Sequence, residues 1–201
     1  MEFRHFGRTH LKVSAIGFGC WEVGGTYGHI DETQFQHAVH AAIDTGITCF
    51  DTAEAYGMGV SEEALARALA GRRNDVVIAT KFGVGYEEMS NRRDSSRARV
   101  LASIDKSLRR LRADYVDIYL VHWPDPNTPL EETMAALDDI ARQGKVRYIG
   151  VSNFRLAQIE EAMRLRRVDV VQYAWNMSRS FLIARHSRWL SWPMDHWPTG
   201  C

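Results

Sequence analysis

The stretches ITCFD (47–51), VVIATK (76–81) and VDIYLVH (116–122) each run through apolar and β-branched residues and end on one ionisable side chain. Short apolar runs of this kind are buried strands, and an ionisable group at their end is costly unless a partner satisfies it. Tyr56 follows close behind Asp51 in FDTAEAYG (50–57). In a parallel α/β barrel the C-terminal strand ends converge on one face, where catalytic residues collect. Asp51, Tyr56, Lys81 and His122 therefore make one candidate acid–base group.

Outward from these runs the chain alternates strand and helix. Candidate strands are Val13–Phe18, Ile47–Phe50, Val76–Thr80, Val116–Val121, Val146–Val151 and Asp169–Tyr173. Between them, Phe35, Val39, Ala42 and Ile43 mark one helical face, stopped by Gly46. Val100, Leu101, Ile104, Leu108 and Leu111 mark another. Thr128, Pro129 and Glu131 have the spacing of a capping box for a helix running through Leu130, Met134, Leu137 and Ile140 to Gly144. Near-continuous apolar strands imply a parallel sheet covered by helices. Six of them with no Gly-rich dinucleotide fingerprint favour a barrel over an open sheet. The segment before Val13, with Gly7 in a turn, is expected to form a hairpin closing the barrel floor.

Composition narrows the partners. The chain has 201 residues, 45% hydrophobic and 25% charged, enough for one substantial core. Lys plus Arg and Asp plus Glu are 25 each, so no net field draws nucleic acid or an anionic membrane, and a small neutral partner is favoured. Cys20, Cys49 and Cys201 are odd in number and lack metal-ligand spacing, which suits a reducing cytoplasm. The first residues, MEFRHFGRTH, contain no apolar signal-peptide stretch, and no run approaches the ~20 apolar residues of a membrane span.

Six stretches in fixed order make a resemblance specific: GFGCWEVGG (17–25), FDTAEAYG (50–57), IATKFG (78–83), LVHWPDPNTPLEETM (120–134), GKVRYIGVSNF (144–154) and VVQYAWN (170–176). Over residues 1–177 the chain resembles the aldo-keto reductase family. The resemblance implies a (β/α)8 barrel of the TIM type, NADP(H) as cofactor, and interconversion of aldehydes or ketones with alcohols. It places the family's catalytic positions on Asp51, Tyr56, Lys81 and His122, and its carboxamide-binding positions on Ser152, Asn153 and Gln172. Gly19, Cys20 and Trp21 fall on the first-strand loop beside cofactor and substrate, and Trp123 lines the pocket with Trp21 and Tyr56. The family also contains channel-associated β subunits, so a binding or regulatory module is the competing reading.

The residue types carry the chemistry on their own terms. Carbonyl reduction builds negative charge on oxygen, which a proton donor must meet. A phenol with a pKa near ~10 is a reluctant acid, and a neighbouring ammonium is expected to lower it. Lys81 fills that role, Asp51 offsets its burial, and His122 orients the carbonyl. Each residue also has a structural reading: His122 a satisfied core histidine, Lys81 a snorkelling rim lysine, Tyr56 a packing aromatic, and Ser152–Asn153 a helix N-cap. Their joint occurrence at successive strand ends favours catalysis. Cys20 reads as small and buried, and the Arg-rich segment 91–99 as a solvated loop and helix start.

Only six of the eight strands that the family fold requires are legible, and everything the family places on the seventh and eighth is missing, so the reading is of an incomplete barrel in a truncated chain with impaired activity. Residues 178–201 shift abruptly in composition, and RHSRWLSWPMDHWPTGC has neither helical nor alternating period. Regrouping the codons of Trp192–Cys201 by one base forces Ala, Gly, Leu and Ala at four positions and is compatible with AYGPLAHGL. That segment resembles the family's seventh strand, and Arg179–Ala184 permits IFPYC before it. Residues 1–177 are therefore expected to form the barrel part, and 178–201 to be an aberrant, frame-shifted tail.

Overall fold

The computed structural model describes residues 1–6, 9–25, 28, 30–85, 92–174 and 191–194. The expected hairpin forms: β1 (Phe3–His5) pairs antiparallel with β2 (Lys12–Ser14), while Gly7, expected in its turn, lies outside the described residues. The single strand expected over Val13–Phe18 is two strands, because the chain changes sheet between β2 and β3 (Gly17–Gly19). Side chains take over the hydrogen bonds at that break. Ser14 and Thr48 exchange N–H···Oγ bonds of 2.9 Å, and the Ser14 hydroxyl donates to the Ile16 carbonyl at 2.6 Å. An unbroken apolar run conceals such a switch.

From β3 the chain repeats strand and helix: α1 (Glu32–Asp44), β4 (Cys49–Asp51), α2 (Val60–Ala68), β5 (Val77–Phe82), α3 (Arg97–Leu111), β6 (Val116–Val121), α4 (Leu130–Arg142), β7 (Val146–Ser152), α5 (Leu156–Leu165) and β8 (Val170–Ala174). All these strands pair in parallel and in chain order. A seventh strand, β9 (Ser191–Met194), continues the sheet beside β8. The sequence offered six, and β9 falls in the segment expected to be aberrant. β8 therefore lies between β7 and β9 in the sheet.

The helices follow their signals with one exception. Asp31 caps α1 by accepting from the Gln34 amide, and Phe35, Val39, Ala42 and Ile43 are its buried face. On α3, Ser96 caps the start while Val100, Ile104 and Leu111 are buried. The capping box at Thr128 does not form: α4 begins after Pro129, and the Thr128 hydroxyl donates instead to Asp125 at 2.6 Å. A carboxylate is the stronger acceptor, and it draws the threonine out of the cap.

Strand parity divides the core in two. Phe50, Ile78, Tyr119, Val121, Ile149, Val151 and Val171 face the helices. Their alternates, Cys49, Ala79, Ile118, Leu120 and Val170, pack inside the curled sheet on Phe6, Leu11 and Val13 of the hairpin segment. Gly150 shares this inward parity. A Cβ there would lie 2.3 Å from the Val170 carbonyl oxygen and 2.4 Å from a Leu120 methyl. Gly150→Ala should therefore lower unfolding free energy by roughly 1–3 kcal/mol through overpacking, read as a reduced urea midpoint at unchanged slope.

Candidate active site

The same parity builds the site. Asp51, Lys81, His122, Ser152 and Gln172 each stand two residues beyond Cys49, Ala79, Leu120, Gly150 and Val170, so all five point inward at the C-terminal ends of neighbouring strands. Lys81, on β5, is fully buried. Its ammonium donates to Asp51 Oδ2 at 2.7 Å, to the Thr52 carbonyl at 2.9 Å and to the Tyr56 hydroxyl at 3.1 Å. Three acceptors match the three protons of the ammonium. Burial depresses the Lys81 pKa, but Asp51 and Tyr56 together outweigh it and leave the group above its usual value.

Tyr56 corrects one expectation. The Lys81 charge does pull the phenol toward ionisation, but burial is the larger effect and the net shift is upward. Tyr56 therefore rests as a neutral O–H donor beside a permanent ammonium. Its ring lies 5.9 Å from that of His122, nearly perpendicular, and 6.3 Å from that of Trp21. His122 is buried and its Nδ1 has no partner among the described residues. Burial, with the Lys81 charge adding to it, pushes its pKa down to about 3. A neutral imidazole is the form present at neutral pH.

The remaining sequence candidates arrive at the same rim. Gln172 donates from Nε2 to Asp51 Oδ1 at 3.0 Å, while its Oε1 is buried without a partner. Asn153, in the left-handed region at φ 63, donates from Nδ2 to the His122 carbonyl at 2.9 Å and to Ser152 Oγ at 3.1 Å. The N-cap alternative for this pair does not hold, since α5 is capped by Arg155. Gly19 is in register with Asp51, the Cys20 amide donates to the Asp51 carbonyl at 2.9 Å, and Trp21 and Trp123 are 40% and 39% exposed beside the opening. Cys20 is buried, and burial pushes its thiol pKa well up. In the segment expected to be a solvated loop and helix start, α3 does begin at Arg97, and two of the four arginines are paired: Arg97 with Asp139 and Arg99 with Glu54.

Two supports escaped sequence reading. Glu54, buried between Asp51 and Tyr56, accepts from the Gly83 amide at 3.0 Å and from Arg99 at 2.7 Å, and its own amide donates to the Lys81 carbonyl at 3.1 Å. It ties the Tyr56 loop to the end of β5. The signal was present, a carboxylate inside FDTAEAYG, but its partner is 45 residues away. The second is backbone contact between Gly24 and Gly57. A Cβ on Gly24 would sit 2.7 Å from the Gly57 nitrogen, so only glycine lets the Trp21 loop press against the Tyr56 loop.

The aldo-keto reductase family model matches residues 15–187, and the chain belongs to that family. The match begins later and ends ten residues beyond the 1–177 span of the sequence motifs. The chain is 39% identical over 180 residues to aldo-keto reductase YhdN of Bacillus subtilis, covering 88% of the chain and 54% of that protein. It is 34% identical to a probable voltage-gated potassium channel subunit beta of Oryza sativa, over 92% of the chain and 57% of that protein. Among solved structures, glycerol dehydrogenase AKR11B4 from Gluconobacter oxydans superposes with a TM-score of 0.84 at 33% identity, covering 94% of the chain and 62% of that protein. The fold is thus the TIM-type barrel of this family, incomplete here, and the chain spans about half the length of the curated relatives it matches.

The depressed His122 pKa has a measurable consequence. The unfolded imidazole titrates near 6.5 and the folded one near 3, so between these values the unfolded chain binds a proton that the folded chain does not. Stability therefore falls as pH drops below 6.5, with His122 contributing a slope of about 1.4 kcal/mol per pH unit, and is unaffected by this group above it. Urea midpoints from pH 7 to pH 4 should fall more steeply for the parent than for His122→Gln. Equal slopes would place His122 in solvent.

Proposed function

We propose that this site reduces aldehyde or ketone carbonyls to alcohols with NADPH, Tyr56 acting as the proton donor. The observation that carries the reading is the Lys81 ammonium, bonded at once to Asp51 and to the Tyr56 hydroxyl. A carbonyl oxygen placed between Tyr56 and His122 meets the phenol O–H, and His122 orients it. As the proton leaves, the adjacent ammonium stabilises the phenolate that forms. Asp51 keeps the ammonium charged and in place, and Gln172 holds the second carboxylate oxygen.

The residues present fit a nicotinamide. The orphaned Gln172 Oε1 is an acceptor for a carboxamide N–H, and Ser152 and Asn153 stand beside it on the same rim. When bound, the cofactor supplies the hydride, while this chain holds the proton. Gly19, Cys20 and Trp21 border cofactor and substrate, and Trp21, Tyr56 and Trp123 enclose the substrate's side chain. The two buried, unpaired cysteines Cys20 and Cys49 suit a reducing cytoplasm, and no helix among the described residues is long and apolar enough to cross a membrane.

The potassium-channel relative supports a second reading, a non-catalytic binding or regulatory module. Residues 178–201 bear on a third, an impaired chain. We take them as a shifted reading of the seventh-strand region, a reading that the pairing of β9 with β8, Trp192 opposite Gln172, supports. Gene sequencing tests this: an alternative frame closed by an early stop, or one that fails to encode the seventh-strand segment, would remove it.

In a protein carrying this site on a closed barrel, Tyr56→Phe should lower kcat/KM for carbonyl reduction by roughly 10²–10⁴-fold with little change in NADPH binding. Lys81→Met should be similarly damaging, since it leaves Asp51 unpaired and the phenolate unsupported. Parent-like turnover in either variant would defeat the assignment. For the 201-residue chain itself, the expectation is a broad thermal transition, binding of apolar dyes and weak NADPH fluorescence quenching. A sharp transition with micromolar NADPH affinity would show that the barrel works without further strands.

A further inference from the structure

The connection between β5 and α3 presents a cation at the mouth of the site. Beyond Gly83 the chain doubles back: the Gly85 amide donates to the Arg92 carbonyl at 2.7 Å, the Asp94 amide to the Gly83 carbonyl at 3.0 Å, and Val84 and Arg93 form an antiparallel bridge. This ribbon rises from the strand end that bears Lys81 and sets Arg93 over the rim. The Arg93 guanidinium lies 4.9 Å from the centre of the Trp123 ring, and Nη1 donates to the Pro124 carbonyl at 3.2 Å. Trp123 directly follows His122. The guanidinium is thus stacked and oriented, with little rotamer freedom left to lose on binding a ligand.

Arg97 and Arg99 on the same segment are neutralised by Asp139 and Glu54, whereas no carboxylate among the described residues pairs with Arg93. The two acids closest to it in sequence and on the adjoining loop are engaged elsewhere. Asp94 accepts from the Ser96 amide, and Asp125 accepts from the Ser95 and Asn127 amides and the Thr128 hydroxyl. Within the site Lys81 and Asp51 cancel and His122 is neutral. Arg93 is therefore a guanidinium at the opening with no ion-pair partner among the described residues, and its edge away from Pro124 is available to a planar or tetrahedral anion.

We infer that Arg93 is the substrate-anion residue of this site: the preferred carbonyl compound carries a carboxylate or phosphate remote from the carbonyl, docked on the guanidinium while the intervening carbons lie along Trp123. The inference rests on the reductase reading and deepens it. The bland alternative is that Arg93 only props Trp123.

The test compares matched substrates in the parent, Arg93→Gln and Arg93→Lys. One pair is 4-carboxybenzaldehyde and its methyl ester, and the other is glyceraldehyde 3-phosphate and glyceraldehyde. Arg93→Gln should reduce the anionic-over-neutral ratio of kcat/KM by roughly 10–100-fold, the scale of a lost charged hydrogen bond, and Arg93→Lys should recover part of it. Whichever pair responds identifies carboxylate or phosphate as the recognised group. Equal loss on both members of both pairs overturns the inference and leaves Arg93 as a prop. If the 201-residue chain reduces none of the four, turnover of the same pairs by a closed-barrel protein carrying this site separates an impaired chain from a failed reductase reading, and calorimetric titration with 4-carboxybenzyl alcohol and glycerol 3-phosphate decides the anion site alone. Binding by the parent that Arg93→Gln abolishes supports it, and binding absent or equal in both overturns it.

Discussion

The molecule is organised around the buried ammonium of Lys81. A lysine with no exposed surface in the interior of a sheet would cost several kcal/mol if left alone, and it persists here because all three of its protons are taken. Asp51 supplies the countercharge from β4, the Thr52 carbonyl supplies backbone from the same strand end, and Tyr56 supplies the hydroxyl from the loop beyond. The arrangement commits neighbouring strands to one register. Slipping β5 against β4 by one residue would turn Lys81 toward the helices and strand both charges.

The barrel interior makes that register affordable. Below the polar layer, Cys49, Ala79, Ile118, Leu120 and Val170 pack with the hairpin segment into an apolar plug, and Gly150 leaves room for the Leu120 side chain. Water is thereby kept from the underside of the Lys81–Asp51 pair. Low local polarity has opposite effects on the two proton-bearing partners: it holds Tyr56 protonated and His122 neutral. Both are the forms that donate to or orient a carbonyl oxygen, so the resting protonation states already suit the proposed chemistry.

Loops, not strands, set the outer geometry. Tyr56 is not on a strand, and its position depends on Glu54 clamping the loop to Gly83 and Arg99 and on the glycine-to-glycine contact with the Trp21 loop. The ribbon carrying Arg93 is anchored at the same Gly83. Tyr56, Lys81 and Arg93 are thus linked through the few residues where β5 leaves the sheet.

The sequence by itself determined the strand–helix alternation, the hairpin, three of the helical faces with two of their stops, and the four candidate residues of the site, because each is written locally: apolar runs, helical spacing, and one ionisable residue at each strand end. That Asp51, Lys81, His122, Ser152 and Gln172 share the inner face was fixed by the paired register of the strands. Other facts depend on partners far apart in the chain. The break between β2 and β3 follows from Thr48, the failure of the Thr128 cap from Asp125, the clamp on Glu54 from Arg99, and the strand at Ser191–Met194 from the free edge of β8. The net direction of the Tyr56 shift was beyond sequence for a related reason. A neighbouring lysine can be inferred from a motif, but the burial that outweighs it is a property of the packed barrel, which exists only once the strands have curled around the site.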